Sequence, residues 1–196
     1  MNNVILEQTE QGEMPTDIYY VLSKNRVLFL DEFIDDRVAV DVCATMMLKE
    51  QENDREKISL FINCGGGDIR NIFMIYDTMT MLKCPIETVC MGSSDDECTL
   101  LLAAGTPGMR FATKNSTITI SQLIHDKFYY SDLTDAKSLL DRFKQDNDNF
   151  VGALAKHLKQ KPNVLAKQIE RRKFLSPKQA LKMNVIDKVV ALGKNK

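Results

Sequence analysis

Histidine is nearly missing from this chain: His125 and His157 are the only two among 196 residues. Imidazole is the side chain most often used to move protons near neutral pH, so candidates for that role are few. Tryptophan is absent, and its absence beside ten methionines suggests an adaptable core without pointing to a function. Cysteine occurs five times (Cys43, Cys64, Cys84, Cys90, Cys98), an odd number with no CxxC spacing. That argues against a structural zinc site and for reduced thiols in a cytosol-like compartment. Neither sign of charge is in excess: 26 Lys and Arg against 27 Asp and Glu leave a net charge of −1. Nothing electrostatic therefore calls for nucleic acid or an anionic membrane as partner. No apolar run approaches the roughly 20 residues that span a bilayer. The first fourteen residues are polar and acidic, without the basic-then-apolar pattern of a secretory signal. The expectation is a cytoplasmic protein.

What is present fits one globular domain, with 44% hydrophobic and 27% charged residues and enough length for a real core. Repeats, low-complexity segments and linkers are not evident. Residues 1–15 are expected as a flexible N-terminal segment and 16–196 as a single domain.

The pattern of elements is α/β. Thr16-Asp17 predicts the cap of a short helix through Leu22. Residues 26–30 read as a strand. Asp35-Asp36 opens a helix of roughly 17 residues, with Val38, Val42, Met46 and Met47 on one face. Residues 58–63 form a second strand running into Cys64-Gly65-Gly66-Gly67-Asp68, and a helix follows over 69–82. Residues 86–91 are a third strand, and 109–112 and 117–120 are short ones. Apolar residues at spacings of three and four predict one long helix over 133–158. It is longer than the core needs, which makes it a candidate for contact between subunits or for simple packing. Pro162 begins a shorter helix, and Ser176-Pro177 caps another. Residues 185–190 are placed to close the sheet. Apolar strands alternating with helices predict a largely parallel sheet.

The most informative stretch is Ser94-Asp95-Asp96-Glu97-Cys98, followed by Leu100-Leu101-Leu102-Ala103-Ala104-Gly105. A strand, a sharp turn and a buried helix together present a nucleophile to an oxyanion pocket. Here the turn carries carboxylates where a catalytic hydroxyl is expected. A plainer account also fits, because acidic and hydroxyl residues at a helix start cap free N–H groups and complement the helix dipole.

Taken in order, Ile34-Asp35-Asp36, Phe61-Ile62-Asn63 before a glycine turn, Ile75-Tyr76-Asp77-Thr78-Met79, the 100–105 run, Arg110-Phe111-Ala112 and Phe174-Leu175-Ser176 resemble the proteolytic subunit of the Clp protease, the ClpP family. The resemblance covers nearly the whole chain from Asp17 on. It implies a spiral of β-β-α units, related to the crotonases, with a long protruding handle helix. Members assemble as rings enclosing a degradation chamber and hydrolyse peptides with a Ser-His-Asp triad. Carried over one position at a time, the nucleophile falls on Asp96, the histidine on Ser121 and the aspartate on Arg172. The oxyanion-hole N–H groups fall on Gly67 and Glu97.

A triad needs a hydroxyl, an imidazole and an orienting carboxylate, and the resemblance implies that all three types are replaced. The implied protein is a non-catalytic subunit like the ClpR-type paralogues, of cytoplasm or plastid stroma. It uses no cofactor or metal, and its partners are other ClpP-type subunits and a Clp ATPase. The Asp96 carboxylate is expected either to settle against the oxyanion-hole donors or to pair with Arg172. Three alternatives stand beside this. A triad rebuilt from Ser93 or Ser94 with His125 would leave residual peptidase activity. Crotonase-like acid–base chemistry would use Asp96 or Glu97. Metal binding by 95–98 is disfavoured, because consecutive residues of one turn diverge. Residues 123–130 replace a glycine-rich substrate strand of the family with bulky side chains. Ser59 and Phe61 take two aromatic positions at which the ATPase docks.

Overall fold

The computed structural model describes residues 4–9, 12–124 and 132–190. His125 and residues 126–130 of the bulky segment lie outside them. The expected N-terminal segment carries regular structure: β1 (Val4–Thr9) and β2 (Gly12–Asp17) form an antiparallel hairpin of their own. Asp17 then caps α1 (Ile18–Lys24), its carboxylate accepting from Tyr19 N at 2.7 Å and Tyr20 N at 3.3 Å.

Strand β3 (Val27–Leu30) leads to α2 (Asp36–Glu52), capped by the Asp35 carboxylate on Val38 N. The buried stripe of α2 is Ala39, Val42, Cys43, Met46 and Lys49. Met47, expected on that face, is 56% exposed. One residue past Met46 is about 100° further round the helix, which carries it off the stripe. Strand β4 (Ile58–Cys64), α3 (Ile69–Met81) and β5 (Ile86–Ser94) follow, and α4 (Cys98–Ala103) is buried at every residue. Next come β6 (Arg110–Thr113), β7 (Thr117–Ile120), α5 (Leu133–Leu158), α6 (Pro162–Gln168), β8 (Lys173–Leu175), α7 (Pro177–Lys182) and β9 (Lys188–Val190).

The sheet runs β3-β4-β5-β6-β9, every neighbouring pair parallel. This is the α/β class and parallel sheet that the sequence predicts. Strand β5 is longer than the expected 86–91 and changes partner along its length. Thr88 to Cys90 pair with β6, whereas Ser93 and Ser94 pair with β7, which itself pairs antiparallel with β8. Gly92 makes the change possible. It has φ +97°, and the Asn63 side chain sits where a Cβ would be, with Asn63 Oδ1 accepting from Ser93 N at 3.1 Å. The path of β5 is thus turned just before the polar elbow.

Helix α5 buries only its C-terminal half, at Phe150, Val151, Leu154, Ala155 and Leu158. Leu133 is 90% exposed, and Leu139 and Leu140 are exposed too, so the first half overhangs the core. Among the described residues no helix is long and apolar enough to cross a membrane.

Candidate functional site

The elbow after β5 is built from backbone first. Asp95 N donates to Cys64 O and Asp96 N to Thr119 O, each at 3.0 Å, which ties the turn to β4 and β7. Asp96 takes φ +48°, the left-handed region. A residue with a Cβ is held there at a cost of about 1 kcal/mol, least for Asp and Asn. Thr99 fixes the turn from below: its hydroxyl lies 2.8 Å from Thr119 O and 2.9 Å from Ser94 O. A lone hydroxyl in the otherwise apolar first turns of α4 was the available sequence signal for this role.

The carboxylates of the elbow do not cap α4. Glu97 is its N-cap residue and makes no side-chain capping bond. Asp95 Oδ1 instead accepts from Thr119 Oγ1 at 2.6 Å. Asp96 is 8% exposed and accepts twice: from Ser121 Oγ on Oδ1 at 2.7 Å and from Arg172 on Oδ2 at 2.7 Å. Of the two expected fates of the Asp96 carboxylate, the structure has the pair with Arg172. The capping part of the plainer account is not what the structure has, because Thr119, Ser121 and Arg172 take up the carboxylates of Asp95 and Asp96.

Ser121 and Arg172 reach Asp96 from neighbouring strand ends. Antiparallel β7 and β8 pair Ile120 with Lys173, so one step further along the ladder Ser121 stands opposite Arg172. The three side chains form one hydrogen-bonded unit: an acceptor between a neutral donor and a cationic donor. In such a unit the donors hold the carboxylate in place.

Gly67 and Glu97 come together elsewhere. They share the wall of a cleft of about 420 Å³ with Asp68, Arg70, Leu123 and Phe143. Gly67 is required by contact, since a Cβ there would lie 2.6 Å from Ile34 Cβ and 2.9 Å from Ile34 O. The close approach is a single parallel bridge, in which Ile34 N donates to Gly66 O and Asp68 N to Ile34 O, both at 3.1 Å. The Gly67 N–H takes no part in that bridge. Asp96, Ser121 and Arg172 are not among the cleft's described walls.

The remaining candidates separate. Ser94 is fully buried, with its hydroxyl 3.5 Å from Thr99 Oγ1. His157 bonds Tyr76 OH at 3.1 Å, and burial pushes its pKa down to about 4. His125 lies outside the described residues, so its pairing with Ser93 or Ser94 is not defined by the structure. Asp95 and Asp96 are turned to different partners, and among the described residues no group of His, Cys, Asp and Glu converges as metal ligands do. Ser59 is buried and donates to Glu87 at 2.9 Å, while Phe61 stacks on Phe29 with centroids 5.2 Å apart.

Comparison with known proteins gives consistent matches. A family model described as Clp protease matches residues 10–192. The chain is 33% identical over 186 residues to an ATP-dependent Clp protease proteolytic subunit of Deinococcus radiodurans, covering 95% of this chain and 90% of that protein. It is 36% identical over 199 residues to an ATP-dependent Clp protease proteolytic subunit 2 of Frankia casuarinae, covering 97% and 87%.

Proposed function

Because the chain belongs to the Clp protease family, we propose that it is a non-catalytic proteolytic-type subunit of a Clp complex, with Asp96, Ser121 and Arg172 at the family's nucleophile, base and orienting positions. One observation carries this reading: the Asp96 carboxylate is held by Ser121 and Arg172, at 2.7 Å each. Serine catalysis needs a hydroxyl whose proton passes to an imidazole steadied by an anion. Here an anion occupies the nucleophile's place, and a serine and a cation satisfy it. Asp96 cannot form an acyl-serine. Ser121 has no basicity near neutral pH. Arg172 carries the charge opposite to the one that would steady an imidazole. A neighbour could compensate for one replacement, but not for three.

On this reading the role is architectural. The subunit sits in a ring beside other ClpP-type subunits, lines the chamber and modulates the docking of a Clp ATPase. The overhanging first half of α5, with Leu133, Leu139 and Leu140 exposed, supports a contact surface between subunits. The glycine turn and the cleft by Gly67 and Glu97 are compatible with a chamber wall that keeps its shape.

The test has two arms. Pure protein is challenged with a fluorophosphonate probe and a small fluorogenic peptide; neither labelling nor turnover is expected, and clear signal in both would refute the non-catalytic assignment. The mass of the assembly is then measured alone and after mixing with an active Clp proteolytic subunit of the same source. Mixed or homomeric rings are expected. A monomer under every condition would remove the architectural role.

A further inference from the structure

Two sulfurs meet beneath the elbow. Cys64 ends β4 and Cys98 begins α4, 34 positions apart, with their Sγ atoms at 2.6 Å. Both are buried, at 1% and 0% exposure. The backbone holds them in this relation twice over: Cys64 is the ladder partner of Ser94, and its carbonyl accepts from Asp95 N. Cys43 and Cys90 have other neighbours, the Thr78 hydroxyl and Thr117 O. All five cysteines are free thiols in this structure.

The surroundings distinguish the two sulfurs. Cys64 Sγ lies 3.2 Å from both Glu32 O and Gly66 O and accepts from the Cys98 thiol. The Cys98 donor lowers the pKa of Cys64, while donation and burial hold Cys98 protonated. Of the two, Cys64 is therefore the more readily ionised and the better placed to attack.

We propose that Cys64 and Cys98 are a reversible oxidation site, at which a small hydroperoxide converts the pair to a disulfide that fastens the glycine turn to the first turn of α4. The chemistry balances with hydrogen peroxide as oxidant. The Cys64 sulfur attacks one peroxide oxygen, the O–O bond breaks, and hydroxide leaves as water with the thiol proton. The resulting sulfenic acid is attacked by the Cys98 sulfur. The S–O bond breaks, the S–S bond forms, and a second water carries off the Cys98 proton. Two thiols are oxidised by two electrons and one peroxide is reduced to two waters. Both sulfurs are buried, so oxidation requires local opening of the elbow and is slow compared with that of an exposed thiol. A dithiol reverses it by exchange.

The bond would close a loop over the glycine turn, α3, β5 and the elbow. Gly67 and Glu97, which both line the cleft, would then be fixed in relative position. The oxidation site does not depend on whether the chain cleaves peptides, so its test is independent of the activity assays.

Full-length protein in its native assembly is titrated with hydrogen peroxide, quenched with an alkylating agent in denaturant, and digested without reduction. The expected product is a cross-linked pair of peptides containing Cys64 and Cys98. It is two hydrogens lighter than the reduced pair and is restored by dithiothreitol. Tm should rise by about 5–10 °C on oxidation. Cys98→Ala and Cys64→Ser should each abolish the cross-link. The site is overturned if both thiols alkylate after an exposure that already oxidises methionine. It is equally overturned if each is oxidised separately or pairs with another cysteine, or if the cross-link forms only in unfolded protein.

Discussion

Asp96 and Arg172, 76 positions apart in the chain, form an ion pair of unequal burial: the Asp96 side chain is 12% exposed and that of Arg172 45%. The inner partner is an anion fixed by backbone geometry at φ +48°. The outer is a cation with one face in solvent. Solvent screens the pair from the arginine side, so its Coulombic share is modest. The Ser121 hydroxyl supplies the second bond and keeps the buried carboxylate satisfied.

Asp96→Ala is therefore expected to destabilise the chain by about 1–3 kcal/mol, chiefly by losing the two charge-assisted bonds of the buried carboxylate, since the Ser121 hydroxyl keeps Gln122 O as an acceptor at 2.9 Å. Urea unfolding of the two proteins checks this. In a cycle with Arg172→Ala, the coupling should come to roughly 1 kcal/mol or less. Asp96→Ser alone should remain inert to a fluorophosphonate, because no imidazole stands at Ser121. The triple change Asp96→Ser, Ser121→His, Arg172→Asp should gain labelling. A folded triple variant that stays unlabelled would refute the placement of the three positions.

A second ion pair governs behaviour in acid. Arg110, 6% exposed at its side chain, meets Asp187 through two bonds, Nε to Oδ2 at 2.8 Å and a terminal nitrogen to Oδ1 at 2.6 Å. Its remaining donor reaches Ala103 O and Asn184 O, and Gly108 N also donates to Asp187. The guanidinium holds the Asp187 carboxyl below the usual carboxylate range. A carboxyl with a lowered folded pKa stabilises the fold above its unfolded value, near 4, and that stability is lost as pH falls through the folded pKa. Asp187→Asn should flatten the acid limb of the stability curve below about pH 4. Arg110→Ala should cost about 3–5 kcal/mol near neutral pH, because it leaves a mostly buried carboxylate unpaired.

Local features were the legible ones. Helix α5 was read to its bounds because its apolar positions repeat at three and four, and Asp17, Asp35 and Ser176-Pro177 announce their helices by capping chemistry. Asp96, Ser121 and Arg172 were reached only through the family's spacing. Their mutual bonding depends on the β7–β8 register and on a left-handed residue, neither of which periodicity encodes. The capping account of residues 94–97 failed for the same reason: residue type marked a helix start, but tertiary partners in Thr119, Ser121 and Arg172 captured the side chains. The hairpin of β1 and β2 is not legible because its apolar residues, Val4, Ile5 and Leu6, are consecutive and exposed, and so leave no apolar–polar alternation. Cys64 and Cys98 share no local pattern and meet only through the order of β4, β5 and α4.

His157 gives a second pH dependence, of the same sign as that of Asp187 but in a higher window. It ends α5 against Tyr76, with ring centroids 5.6 Å apart and edge-on, and its pKa is pushed down to about 4, first by burial and then by Lys156 and Arg110. A histidine with a folded pKa below its unfolded value of about 6.5 favours the fold while neutral. Its contribution is complete above pH 6.5 and is lost between there and pH 4, by about 3 kcal/mol at most. His157→Gln should remove the pH dependence of stability in that window while leaving the lower, Asp187-linked limb. Direct titration of the ring by NMR should give a value well below 6; an ordinary value would show that protonation there costs the fold little.

Arg26 ties the end of α2 to the start of the sheet. Its side chain is 5% exposed and donates to four carbonyls, Lys49 O at 2.6 Å, Glu56 O at 2.8 Å, and Asn53 O and Lys57 O at 3.1 Å each. Two of these belong to the end of α2: Lys49 O, which also accepts from Asn53 N, and the carbonyl of the C-cap residue Asn53 itself. The residue also sits at φ +60°, a strained conformation for any side chain that glycine adopts freely. Removing the clamp and removing the strain are separable. Arg26→Ala loses the four bonds and keeps the strain, so it should cost about 3 kcal/mol or more. Arg26→Gly loses the same bonds but relieves the backbone, so it should be the less damaging change by about 1 kcal/mol. Side-by-side denaturation of the two variants measures that difference, and an alanine variant as stable as the glycine one would show that the left-handed backbone, once formed, carries no strain of its own.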